Sequence, residues 1–386
     1  MLVETFNSCT LFFTCLIVAS LLSVTTPATA QQVDVWFGTA TGKNSLSKGI
    51  YHAKFNIDKG TLSKPTLAAE IGSPGFLAMH PNGEMLYAAA RHQGTHSVVA
   101  YKIEQVDGKS TLKLVNSVAT GDGNAVHLTV DRSGKVLLSA QYGGGSIALF
   151  DLADDGSIKS RRELLKHEGG SGVVDGRQDK PHAHWIGTSP GNQFVFVPDL
   201  GMDKVVIWKL DASNATLTSH GFGICPPGGG PRHMKFNPSG THIYVLNELA
   251  LSITTFAYDK DTGTMEPIQT VETLTEATKA KETFNSASEI RVHPSGKFVY
   301  SANRGNDTIS VFRVDDVTKK LTLVEVEPIR GSWPRNFNLD PTGKWLIAAG
   351  QHSNTATVFS IDQSTGELTF NRQSAMVPSS ICVLFQ

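Results

Sequence analysis

The chain has 386 residues and a formal net charge of −1 from 34 basic and 35 acidic side chains, with only 18% charged against 40% hydrophobic residues. Disordered chains combine high charge with few apolar groups, so disorder is excluded for most of the length. The basic residues are scattered rather than gathered into one patch, which argues against nucleic acid as a partner.

In chain order, the first feature is an apolar run over residues 11–24, followed by small and polar residues that end in Ala28-Thr29-Ala30. The run is shorter than the roughly 20 apolar residues a membrane span needs, and an Ala-x-Ala end after such a run is the pattern of a secretory signal. Residues 1–30 are therefore read as a signal peptide and residues 31–386 as one mature domain. The product is expected to be exported, periplasmic or secreted, and free of the membrane once the signal is cleaved. Cleavage would remove Cys9 and Cys15 and leave Cys225 and Cys382. Two cysteines are too few for a disulfide-stapled fold, so the mature chain must rely on its own core.

Beyond residue 31 a hairpin recurs: a short apolar strand, a turn, then a second apolar strand. The turns are His80-Pro81-Asn82-Gly83, Asp131-Arg132-Ser133-Gly134, Ser189-Pro190-Gly191-Asn192, Asn237-Pro238-Ser239-Gly240, His293-Pro294-Ser295-Gly296 and Asp340-Pro341-Thr342-Gly343. Proline presets φ at the second turn position, and Gly or Asn at the fourth tolerates the left-handed region. The fourth positions recur 47–58 residues apart, and a third and a fourth strand follow each hairpin. Four strands at a period near fifty is the signature of propeller blades. Six units carry the turn, and a seventh can be assembled from residues 33–55 and 380–385. The expected fold is all-β: a seven-bladed β-propeller of four-stranded antiparallel blades, its last blade closed by N- and C-terminal strands. Such closure removes the open sheet edge that invites aggregation. Two insertions interrupt the repeat, a Gly-rich polar one at 166–180 and one with a weak helical pattern at 270–284.

The turn joins the two innermost strands of a blade, so residues equally far before and after it share one rim of the central channel. Eight residues before the fourth turn position stand Gly75, Val126, His184, Arg232, Ser288 and Arg335; eight after stand Arg91, Tyr142, Leu200, Glu248, Arg304 and Gln351. One rim thus gathers His184, four arginines and Glu248, with Tyr142, Gln351 and Asn247 nearby. Charges are rarely brought together inside a fold unless paired, because desolvating an ion costs several kcal/mol. The reading is an anion site with an acid–base group. Pro181-His182-Ala183-His184 puts both imidazoles on one strand face. His80 and His293 are read as turn caps; His127, His233, His242 and His352 receive no role. The chain has no Gly-x-Ser-x-Gly elbow, Gly228-Gly229-Gly230 lacks a following Gly-Lys-Ser/Thr, and no HExxH or cysteine cluster accompanies the histidines. No metal and no organic cofactor is expected.

The segments Gln141–Ser146, His167 to His184, Gly230-Pro231-Arg232-His233-Met234, Leu246-Asn247-Glu248, Ser288-Glu289-Ile290 with Ala302-Asn303-Arg304, and Trp333-Pro334-Arg335-Asn336-Phe337 with Ala349-Gly350-Gln351 run in this order along the chain. Together they resemble the lactonase family of seven-bladed propellers, which includes 6-phosphogluconolactonases and fungal carboxymuconate-lactonising cyclases. The resemblance implies a hydrolase that opens a sugar-acid lactone, with the family's active-site residues falling on His184, Arg232, Glu248 and Arg304. Arg91, Tyr142, His182, Asn247, Arg335 and Gln351 are expected to bind the substrate. Glu248 or His184 would activate water, Arg232 or Arg304 would stabilise the oxyanion, and Arg91 and Arg335 would hold a phosphate or carboxylate. The expected partner is a small anionic lactone and the expected state a monomer, since a ring closed by its own termini needs no second copy. Two alternatives stand beside this reading: a carboxymuconate-type cyclase, and a non-catalytic exported propeller that binds an anionic ligand or a protein.

Overall fold

Each expected turn forms as its residues require. Gly83, Gly134, Gly240, Gly296 and Gly343 take φ between 67° and 74°, and Asn192 takes 60° at the third turn. The amide of each donates back three residues, as in Gly83 N to His80 O at 2.9 Å and Gly134 N to Asp131 O at 3.0 Å. The structure, a computed structural model, describes residues 1–5 and 31–386; the expected signal segment 1–30 lies outside the described residues save for residues 1–5, which carry no secondary structure.

Seven antiparallel sheets follow, as the repeat predicts. Blades 1 to 6 occupy residues 72–119, 125–166, 187–224, 231–272, 286–328 and 334–376, each with four strands placed in chain order from the channel outward. Blade 7 takes its innermost strand, Ser380–Phe385, from the C-terminus and the next two, Gln32–Thr39 and Gly49–Asn56, from the N-terminus. Its outer strand is broken at Pro65 into Thr61–Leu62 and Thr66–Glu70, both paired to Gly49–Asn56. The ring closes in register, with Trp36 opposite Leu384 and Phe37 opposite Val383. The helical pattern of the second insertion amounts to a single turn, Glu276–Lys279, capped by Thr275.

The cores lie between blades, where the period-two strands present apolar side chains on both faces. Tyr87, Leu137 and Phe150 belong to one such layer, and Tyr300, Phe337 and Phe359 to another. A buried tyrosine hydroxyl must find a partner. Tyr87 donates to Gly156 O at 2.6 Å and Tyr300 to Gly366 O at 2.9 Å, each reaching into the next blade.

One recurrent irregularity positions the site. In six blades the register of the innermost strand slips near the same rim, releasing Gly75, Val126, Arg232, Ser288 with Glu289, Arg335 and Ile381 from pairing. A β-bulge frees an extra residue and re-aims its side chain. Blade 3 reaches the same end differently. Its innermost strand is only Gly187–Thr188, and an isolated bridge between Ala183 and Asp199 brackets His184.

Candidate active site at the channel rim

Glu248 follows directly on the strand His242–Asn247, its amide donating to Gly230 O at 2.7 Å. Three guanidinium groups surround its carboxylate. Oε2 accepts from Arg232 Nε at 2.9 Å and lies 3.2 Å from Arg304 Nη2, and Oε1 accepts from Arg177 Nη2 at 2.8 Å. Burial alone would raise the carboxyl's pKa, but Arg304 and Arg232, then Arg177, outweigh it and hold Glu248 well below the usual carboxylate range. The arginines are fixed in turn by backbone carbonyls: Arg304 Nη2 donates to Ala287 O at 2.9 Å, and Arg232 Nη1 to Ser288 O. Burial, and after it Arg304, lowers Arg232 to about 9, so it stays charged at neutral pH.

Beneath Arg232 runs a second buried chain. Arg232 Nη1 lies 3.1 Å from His233 Nε2, and His233 Nδ1 lies 3.1 Å from Glu289 Oε1. Arginine can only donate, so Nε2 accepts and Nδ1 carries the proton toward Glu289. Glu289 also receives Ile290 N and Arg291 Nη1, at 2.9 and 3.1 Å, and the Asn336 amide.

His184 is buried with its ring edge-on to Tyr142 and His233, at centroid distances of 5.4 and 5.3 Å. Burial, then Arg232 and His233, hold it well below the usual histidine value, so the imidazole is neutral. Its Nδ1 has no hydrogen-bonding partner among the described residues. Arg335, also lowered by burial and then by Arg304, makes no ion pair among them. His184, Arg335 and Val126 line two adjoining cavities. The deeper, of about 80 Å³, also touches Arg232, His233 and Ile381. The outer, of about 200 Å³, adds Tyr142, Arg177, Glu248 and Arg304.

The fold therefore brings His184, Arg232, Glu248 and Arg304 together, with Tyr142 and Arg335 in the same wall. His182 stands behind Tyr142, stacked on its ring at 4.3 Å with Nδ1 2.8 Å from the Tyr142 carbonyl oxygen. Asn247 is buried and ties Ser252 to Thr254, both at 3.0 Å, outside either cavity lining. Arg91 is exposed, and its Nε donates to Gly94 O at 3.0 Å within its own turn. Gln351 lines a neighbouring cavity rather than this one.

Arg177 is the residue that the repeat could not supply, because it sits in the insertion at 166–180 and has no counterpart in other blades. Its neighbour Gln178 is buried, donating to Asp203 Oδ1 at 2.6 Å and Leu200 O at 2.9 Å. Asp203 also accepts the amides of Gly228 and Gly230, at 2.7 and 2.8 Å. These glycines, with φ of 74° and 63°, open the strand that carries Arg232. Asp203 thus couples the loop of Arg177 to the strand of Arg232. Among the described residues no group of three or more His, Cys, Asp or Glu is arranged to hold a metal ion.

A family model described as "Lactonase, 7-bladed beta-propeller" matches residues 34–385. A 6-phosphogluconolactonase of Bacillus subtilis is 35% identical over 295 residues, 76% of this chain and 82% of the relative. A second, from Formosa agariphila, is 33% identical over 313 residues, 79% of this chain and 86% of the relative. The solved structure of a periplasmic gluconolactonase of Pseudomonas aeruginosa superposes with a TM-score of 0.83 at 26% identity, over 92% of this chain and 99% of that one.

Proposed function

The chain belongs to the lactonase family of seven-bladed β-propellers, and from that premise we propose that it hydrolyses the ring ester of a sugar-acid lactone, with 6-phosphogluconolactone as the first candidate. One observation carries the assignment of roles: a neutral imidazole, His184, shares a cavity with an unpaired guanidinium, Arg335. Water attacks the lactone carbonyl while His184 takes its proton, a contribution commonly worth about 10²–10⁴-fold. The carbonyl becomes a tetrahedral oxyanion beside Arg304, whose Nε has no partner among the described residues. The C–O bond to the ring oxygen then breaks. The imidazolium returns its proton to that oxygen, and an open-chain carboxylic acid leaves.

Glu248 is a poor base in this scheme. A carboxylate neutralised by three guanidiniums has little proton affinity, and its role is to hold Arg177, Arg232 and Arg304 in place. Arg335 and Arg177 face the substrate's phosphate or carboxylate, two oxygens of which match the planar guanidinium fork. Tyr142 and His182 form the wall behind it. The apolar run at 11–24 and the periplasmic relative support work outside the cytoplasm. No described helix is long and apolar enough to cross a membrane.

The test is turnover of 6-phosphogluconolactone, glucono-δ-lactone and a carboxylated muconolactone by the purified protein and by His184→Gln. The expected result is hydrolysis of a sugar-acid lactone and a fall in kcat of about 10²-fold or more in the variant. Full activity in His184→Gln would remove the histidine from the mechanism, and no turnover of any lactone would remove the activity.

A further inference from the structure

The same rim holds a second cavity that the lactone chemistry leaves unused. It measures about 370 Å³ and lies between the turn of blade 6 at Gln351 and His352 and a loop of blade 7 that carries Asn44, Ser45 and Leu46. That loop, residues 40–48, is the longest connection between second and third strands in the ring. Elsewhere such connections are turns of two to four residues.

Trp333 links the two cavities by touching a lining residue of each. His352 stacks on its indole at 4.7 Å with planes 18° apart, and the Arg304 guanidinium lies 5.7 Å from the ring centre. Phe284 stacks on it at 5.5 Å. Trp333 is held at φ 64°, a conformation rare for so bulky a residue. Asp307 Oδ1 receives its amide at 2.8 Å, and its carbonyl accepts Arg335 N at 2.8 Å and Gln351 N at 3.1 Å. A strained backbone bound on both sides makes a fixed wall rather than a loose side chain.

The two cavities differ in chemistry. The catalytic one is crowded with guanidiniums, whereas no Lys, Arg, Asp or Glu lines the second. Its polar groups are amides and hydroxyls. Gln351 Oε1 is buried without a hydrogen-bonding partner among the described residues, an acceptor that calls for a donor. Its flat or apolar surfaces are the exposed His352 ring and Leu46, which is 72% exposed. A ligand suited to it is neutral, carries hydroxyl donors on its edge and presents a C–H face to an aromatic ring. A pyranose has all three properties. An anion finds no lysine or arginine to pair with there, and a purely apolar ligand would leave Gln351 Oε1 unpaired.

We infer that this cavity is a neutral-sugar subsite, so that the substrates include sugar-acid lactones carrying a glycosyl residue, the lactone ring lying among the guanidiniums and the sugar against His352 and Gln351. The inference rests on the lactonase reading. Its test compares kcat/KM for the δ-lactones of gluconic, cellobionic and maltobionic acid in the wild type, Gln351→Ala and Leu46→Glu, with melting curves to check folding. At least one disaccharide lactone should exceed gluconolactone by about tenfold, the equivalent of one modest contact, and each variant should bring that ratio close to one. Ratios near one in the wild type, or ratios untouched by both variants, overturn the subsite while leaving the lactonase reading standing. If no lactone is hydrolysed, the activity falls and the subsite is judged by binding alone. Cellobiose or maltose should then bind the wild type in calorimetric titration and not Gln351→Ala, and no binding to the wild type overturns it.

Discussion

Mild acid should destabilise this protein before its carboxylates begin to titrate. His127, His184 and His233 form one buried cluster, with the His233 ring 5.5 Å from His127 and 5.3 Å from His184. Burial is the main cause holding all three well below the usual histidine value. It is reinforced by Lys235 at His127, by Arg232 at His184, and by Arg232 and Lys235 at His233. In the folded protein the three rings stay neutral. In the unfolded chain each titrates near 6.5, so below that pH the unfolded state binds more protons and stability falls as pH drops. Between pH 7 and pH 5 each ring costs about 2 kcal/mol by linkage, and the three together about 6 kcal/mol, since they titrate independently once unfolded. With the usual unfolding entropy per residue, that is a fall in Tm of about 8 °C for a chain of this size. Asp34 and Glu248, whose carboxyls are held low, keep their contributions above the unfolded carboxylate value of about 4 and lose them only as pH falls below it, outside this window. Calorimetric melts at pH 7, 6 and 5 at constant ionic strength measure the slope, and His127→Phe should remove about a third of it. A Tm flat between pH 7 and 5, or a slope unchanged in His127→Phe, would refute the neutral cluster and with it the neutral His184.

Three further outcomes follow from the site. The kcat/KM profile for the lactone should stay level as pH falls from 7.5 to 6, because His184 is already neutral there; an acid limb centred near 6.5 would sink this. Glu248→Gln leaves three guanidiniums without their counter-charge, so stability in urea should drop by about 3–5 kcal/mol. Its kcat should fall about 10²–10³-fold, and near-normal values of both would show that Glu248 organises nothing. Arg177→Met removes a guanidinium 35% exposed at the cavity wall. One lost charge-assisted hydrogen bond, about 1.5–3 kcal/mol, should raise KM for a phosphorylated lactone roughly 10–100-fold with little change in kcat. An equal fall in kcat at unchanged KM would place Arg177 in the chemistry rather than in substrate capture.

The four central residues were legible in the sequence because a propeller converts chain distance into position around a ring. The turns at 83, 134, 192, 240, 296 and 343 fixed the frame, and eight residues to either side fell at the rim. That count works for a reason the sequence does not state. Successive residues in an unbroken hairpin would alternate between the two faces of the blade, yet Pro231 pairs with Asn247 and Arg232 is left over. The bulge, repeated in blade after blade, is what turns the eighth residue toward the axis. Arg91 shows the limit of the count: it obeys the spacing, but its short turn lets the guanidinium fold back on Gly94 O. Gln351 obeys it too and ends in the second cavity, beside the 40–48 loop that periodicity does not describe. Arg177 and Asp203 were beyond reach for the opposite reason. They act through loops outside the repeat, and only contacts between an insertion and a glycine run reveal their part. The unit that repeats thus builds the basin, and segments that break the repeat complete its walls. Arg177 closes one side of the arginine-lined cavity, and residues 40–48 contribute Ala40, Gly42 and Asn44–Leu46 to the second. Substrate choice in this fold should therefore track its insertions more closely than its blades.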